Sequence, residues 1–351
     1  MRLISLLLLI PFVYSCKKDK PEPVPIEITL SSGMVVLCEG LFQQNNATLS
    51  WINTGTGDIS NELFEEKAGR YLGDTGNDLK KYGGKVYIVV TLSSTIEVMD
   101  ATTFAPVKQI EMLNGAVAKQ PRSIAFYGSK AYVTCYDGFV DVIDTTSLSV
   151  VQRIPVGANP EGLDIANNKL YVANSGGLNT PQMDSTVSVI DLDSHIELQK
   201  ITVGLNPGSV ISDSYGDVYV IARGDYGAIS SRLVRIDSQN DSVADEFLFE
   251  VSGISSMNEQ FLTYHYNYSN GLGVVSLFDP SSETILNSNY INTSEVNTLY
   301  GVQYNPLTNK IYAMDAMNFT NTGYIHEYDI NGNKITSYHV GLNPSKILFY
   351  E

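Results

Sequence analysis

The sequence predicts an all-β fold, a seven-bladed β-propeller of four-stranded antiparallel blades whose first blade is completed by the C-terminal strand. Three recurrent features predict it. The first is a short strand of the form Lys-apolar-Tyr-Val, at Lys85-Val86-Tyr87-Ile88, Lys130-Ala131-Tyr132-Val133, Lys169-Leu170-Tyr171-Val172 and Lys310-Ile311-Tyr312-Ala313. Looser copies start at Met34, Asp217 and Gln260, which makes seven. The second is an alternating strand that ends in an acidic or amide residue: Asn53, Asp100, Asp144, Asp191, Asp237, Asp279 and Asp329, with gaps of 47, 44, 47, 46, 42 and 50. A period in the mid-forties with several strands per repeat marks a propeller rather than a sandwich. The third is a Val-Gly-x-Asn-Pro turn, at Val156 to Pro160, Val203 to Pro207 and Val340 to Pro344, where Gly permits unusual φ and Pro fixes it.

Each repeat divides into strands A to D. In the clearest copy these are Gly162 to Ala166, Lys169 to Asn174, Thr186 to Leu192 and about Glu197 to Val203. The repeat that starts near Met34 lacks an A strand, and the last segment, Ser345 to Tyr350, is an A strand with no B strand after it. The C-terminal strand therefore closes the ring and limits exposed edges. The Asp that ends each C strand is read as turn architecture, because its carboxylate accepts hydrogen bonds from backbone two residues on. Cys38 and Cys135 fall at the ends of equivalent strands in the first and third blades, too far apart to bridge, and are expected as buried free thiols.

The ends of the chain read differently. Residues 1–15 carry Arg2 and an apolar run from Leu3 to Val13, too short to span a bilayer. The run ends in Val13-Tyr14-Ser15-Cys16, which resembles a bacterial lipobox and makes Cys16 the expected lipidation site. Residues 16–30, charged and Pro-rich, read as a flexible tether, and residues 31–351 as the propeller.

A formal net charge of −16 repels phosphate backbones and anionic headgroups, so nucleic-acid binding and electrostatic membrane association are excluded as working readings. Contact with a membrane is expected through the lipid anchor only. The 22 tyrosines suit strands.

Function is expected in the loops of one face. A–B and C–D turns are short, whereas B–C and D–A segments are long: 39–46, 66–77, 113–122, 174–185, 223–231, 265–273 and 316–323. Long loops on one face of a rigid scaffold are where binding usually resides. Their expected ligand-binding residues are Phe42, Asn45, Arg70, Tyr71, Tyr136, Arg223, Tyr226, Tyr264, Tyr266, Tyr268, Asn318 and Phe319. Flat apolar area with polar edges suits a large, partly polar organic ligand or a protein surface. Catalytic signals are thin. The four histidines (His195, His265, His326 and His339) have no metal-ligand spacing, and His326 and His339 read as structural. No G-x-S-x-G elbow occurs, Gly271-Leu272-Gly273 precedes a strand rather than a helix, and Asp237, Asp241 and Asp245 lack the EF-hand pattern. The chain is read as a non-enzyme with no catalytic residue, metal or catalytic cofactor.

The unit Lys169 to Asn174, with Val187 to Asp191 and Val203 to Pro207, resembles the YVTN, or YncE-like, propeller family over nearly the whole chain after the leader. Glu39-Gly40 with Asn45 to Leu49, Gly69 to Asp74, and Tyr219 to Tyr226 resemble propeller lipoproteins of Bacteroidetes, including the BtuG type. That resemblance implies a surface-exposed outer-membrane lipoprotein that binds cobalamin (vitamin B12) or a related corrinoid and passes it to a BtuB-type TonB-dependent transporter. The competing expectations are a propeller hydrolase or lactonase built on a central calcium, and a protein-interaction scaffold of another nutrient-uptake system.

Overall fold

A computed structural model describes residues 30–351. The expectations for residues 1–15, the tether and Cys16 lie outside the described residues, apart from Leu30. Seven four-stranded sheets form, each with strands in the order A-B-C-D, plus one two-stranded hairpin. The A strands are Pro344–Tyr350, Gly76–Tyr82, Pro121–Tyr127, Pro160–Ala166, Pro207–Ser212, Gly253–Met257 and Leu299–Asn305, for blades one to seven. As expected, blade one takes its A strand from the C-terminus: Gly33 pairs with Tyr350 and Val36 with Ile347. No helix of the described residues is long and apolar enough to cross a membrane.

The repeated residues have separate jobs. B strands such as Lys85–Val90 and Lys169–Asn174 are buried after their first residue, whereas D strands such as Pro106–Glu111 are mostly exposed at the rim. The repeat tyrosine bonds one blade to the next. Tyr87 of blade two lies 4.9 Å from Phe126 of blade three, Tyr219 of blade five 5.2 Å from Phe261 of blade six, and Tyr312 of blade seven 5.3 Å from Phe349 of blade one. A large ring fills the wedge between diverging sheets, and its hydroxyl can reach a polar partner at the edge. Tyr171 does so, donating to Asp241 at 2.5 Å, and the Tyr132 hydroxyl pairs with His195 Nε2 at 2.9 Å.

The acidic series behaves as turn architecture. Asp100, Asp144 and Asp329 each accept backbone N–H groups two and three or four residues on, and Asn53 does the same for Gly55 and Thr56. Side-chain hydrogen bonds from Ser194, Asn240, Ser282 and Asn333, with backbone N–H groups, hold the carboxyls of Asp191, Asp237, Asp279 and Asp329 below their ordinary range, and the backbone of Thr103 does most for Asp100. Cys38 and Cys135 are buried free thiols. Burial pushes the Cys38 thiol up to about 12, so neither titration nor exchange is favoured there. His326 is held between Asp315 and Ser337, and His339 pairs with Thr322 at 2.7 Å.

Three local features depart from the expected pattern. The D strand of blade one is only Ile59–Ser60, and a helix, Leu63–Ala68, follows it and runs into the start of the 66–77 segment expected to be loop. Leu63 and Phe64 of that helix are buried against Trp51 and Phe104, replacing the core that a full D strand would have covered. The 113–122 segment folds into a small hairpin, Leu113–Asn114 with Val117–Ala118. The B strand of blade six runs on to Asn267, so Tyr264 and Tyr266 stand on a strand and the loop proper shrinks to its tip.

Candidate functional site

The seven A strands surround the axis, and their N-terminal ends, together with the B–C loops, open on the long-loop face. There they enclose a funnel of about 440 Å³, lined by Glu39, Asn77, Asp78, Arg122, Glu161, Arg223, Tyr264, Tyr266, Tyr268 and Tyr300, among others. That size is typical of a small-molecule site.

The floor is a charge cluster. Glu161 is buried on strand A of blade four, and its Oε2 accepts from Arg122 Nε and Nη2, both at 3.1 Å. Its Oε1 takes the Tyr136 hydroxyl and lies 3.7 Å from Arg223 Nη1. Arg122 stacks over the Tyr136 ring at 4.7 Å. Burial alone would raise the Glu161 carboxyl, but Arg122 and Arg223 outweigh it and hold it below its ordinary range. Glu39 is the opposite case. Burial dominates and pushes its carboxyl up, although the Tyr300 hydroxyl donates to its Oε2 at 2.8 Å. Burial also raises Tyr136 and Tyr264.

Glycines bring these side chains inward. A Cβ on Gly208 would sit 2.2 Å from the Arg223 guanidinium carbon, and one on Gly253 would sit 2.2 Å from the Tyr264 ring. Both side chains lie directly across a bare A strand, which a larger residue would prevent.

Above the floor stands an aromatic rim. Tyr266 and Tyr268 meet edge-on at 4.9 Å, Tyr268 stacks on Phe319 at 6.3 Å, and Phe319 meets Tyr300 edge-on at 5.9 Å. Tyr226 and Tyr268 are about three-quarters exposed. Tyr226 (φ 58°) and Phe319 (φ 66°) hold left-handed backbone that bulky residues rarely adopt. Such strain persists only where the surroundings over-determine it.

Of the twelve expected site residues, the structure brings Tyr136, Arg223, Tyr226, Tyr264, Tyr266, Tyr268 and Phe319 to this mouth. The other five are placed differently. Phe42 and Tyr71 are exposed. The backbone of Asn45 is held by Asp74. Arg70 forms a bidentate pair with Glu97, at 3.0 and 2.6 Å, and lies over Phe64. The amide oxygen of Asn318 caps its own turn, accepting from Thr320 and Asn321. Glu39, Arg122, Glu161 and Tyr300 were not expected as site residues. Arg122 and Glu161 each follow the Pro that opens an A strand, so the repeat register itself marks that position as channel-lining.

Residues 32–349 match the family described as a domain of unknown function, DUF5074. The chain belongs to that family. No curated protein matches it. Among solved structures, the DUF5074 chain is similar to a quinonprotein alcohol dehydrogenase-like protein from Bacteroides thetaiotaomicron, with 17% identity and a TM-score of 0.66 over 92% of this chain and 79% of that one. It is also similar to a candidate 6-phosphogluconolactonase from Bacteroides uniformis, with 11% identity and a TM-score of 0.63 over 91% and 99%. A third is hydrazine synthase of Kuenenia stuttgartiensis, with 17% identity and a TM-score of 0.61 over 75% and 85%. At these identities the likeness is one of fold.

Proposed function

We propose that the protein is a non-enzymatic capture protein, held at the cell surface by a lipid on Cys16. It takes cobalamin or a related corrinoid onto the mouth of the propeller and passes it to a BtuB-type TonB-dependent transporter. The observation that carries this reading is the aromatic rim of the exposed Tyr226 and Tyr268 and the half-buried Phe319, standing over a polar funnel. A corrin ring is broad and amphipathic, with amide side chains at its edge. Aromatic faces cover such a ring, and Tyr, Asn and Arg groups bond its amides. Two stretches that carry the BtuG resemblance also meet here: Glu39 of one and Arg223 of the other both line the funnel. Preorganised side chains reduce the ordering cost of binding.

The hydrolase alternative draws on Glu39, Asn77, Asp78 and Glu161, which line the same funnel. Capture is favoured because two of these carboxylates are engaged by the fold. Asp78 receives the N–H groups of Leu79 and Ile124, and Glu161 faces Arg122. Metal-dependent turnover of a lactone would reverse that preference.

The test is titration of the mature chain with cyanocobalamin, followed by gel filtration monitored in the visible band. Colour is expected to travel with the protein, and Tyr226→Ala and Phe319→Ala are expected to weaken retention while leaving the elution volume unchanged. Ligand that elutes free at micromolar protein would remove the corrinoid reading.

A further inference from the structure

The arginines of the described residues divide unevenly. Arg70, Arg122, Arg153, Arg232 and Arg235 each hold a carboxylate at 3.1 Å or closer. Arg223 does not: its nearest carboxylate oxygen, Glu161 Oε1, is 3.7 Å away and already receives the Tyr136 hydroxyl. Its guanidinium donates no hydrogen bond among the described residues, although the side chain is 30% exposed and borders the funnel. A planar fork of donors held in a partly desolvated site without an acceptor is matched to an incoming oxyanion, which can accept two parallel N–H bonds.

The charge around it agrees. In a chain of net charge −16, the funnel is lined by four cations (Lys80, Arg122, Arg223 and Lys346) against three carboxylates (Glu39, Asp78 and Glu161). Glu161 cannot neutralise both arginines, because Arg122 occupies its Oε2 with two N–H groups. Low-dielectric walls focus such a local excess toward an anion.

We propose that the funnel floor is an oxyanion site, in which the open edge of Arg223 takes a carboxylate or phosphate group of a small ligand while the Arg122–Glu161 pair holds the floor in place. Lys346, exposed on the first A strand, adds long-range attraction. The site does not depend on which molecule the rim covers.

Calorimetric titration of the intact mature protein at low ionic strength tests it, with inorganic phosphate and succinate as probes and chloride matched. One-site saturable binding of at least one probe is expected, and the tighter of the two identifies the preferred group. Arg223→Gln is expected to weaken that binding by roughly tenfold or more, the size of a lost charged hydrogen bond, with Arg223→Lys intermediate. Lys346→Gln, on an exposed side chain, is expected to weaken it less and serves if Arg223→Gln does not fold. Failure of both probes to saturate in the millimolar range overturns the site, as does wild-type affinity in these variants. A chain that binds the anion but not cyanocobalamin keeps this site and loses the corrinoid reading; the converse loses only the site.

Discussion

The two faces of the propeller use similar residues to opposite ends. On the turn face, carboxylates sit at one position of the repeat, are half-buried, and are answered by backbone and side-chain donors of their own turn. On the mouth face, Glu161 is buried and Glu39 half-buried; both occur in single blades and are answered by side chains from other blades: Tyr300, Arg122 and Tyr136. Repetition therefore marks what each blade needs for itself. Departure from repetition marks what the ring as a whole does.

Removal of a mouth carboxylate should be the more damaging. Glu161→Ala leaves the part-buried Arg122 guanidinium without its counter-ion; breaking a fully buried pair from one side costs about 3–5 kcal/mol, and this pair should approach the lower end. The loss should appear as a lower urea midpoint at unchanged slope. An equal loss in any turn-face Asp would erase the distinction between the faces.

Asp315 offers an intermediate case. It ends the B strand of blade seven and accepts N–H groups from Asn297, Thr298 and Met317, which fixes the loop that carries Phe319. Against its burial, the bonds from His326 and these backbone groups lower its carboxyl to about 2, from an ordinary 3.8. A carboxyl held low in the folded state contributes stability above its unfolded value and loses it as pH falls through its folded value. Thermal midpoints should therefore fall between pH 4 and pH 2, and Asp315→Asn should flatten that fall while lowering stability at neutral pH. An unchanged acid limb in the variant would show that other groups govern it.

The smallest effect is expected on the turn face. Asn53 already does in blade one what Asp does in the other six. Asp237→Asn keeps one acceptor oxygen and should lower the thermal midpoint at pH 7 only slightly, less than either mouth-face substitution, while a comparable loss would mean that the charge, and not only the acceptor oxygen, shapes these turns.

Most of the architecture could be read before the structure because it repeats. Five strands with the repeat Tyr and two looser copies, together with six Asp turns and Asn53, fix blade number, strand order and closure by the last strand. The helix Leu63–Ala68 was not legible, since six residues give too little periodicity, and it exists to cover a core left open by a two-residue D strand. At the site, the rim was visible as aromatic loops. The floor was not, because Arg122, Glu161 and Tyr300 lie inside A strands, and only the ring places those strands around an axis. The Pro before Glu161 was a signal available, and it was read as turn chemistry alone. Arg70 is a loop arginine on the expected face that stays exposed while it pairs with the buried Glu97.

The pairing of Gly33 with Tyr350 also gives the molecule a polarity. Both ends of the ring lie at the underside, where B strands begin, while the aperture lies where B strands end, one strand length or roughly 20 Å away at about 3.3 Å per residue. A pull exerted through Leu30 therefore acts on the pole opposite the opening.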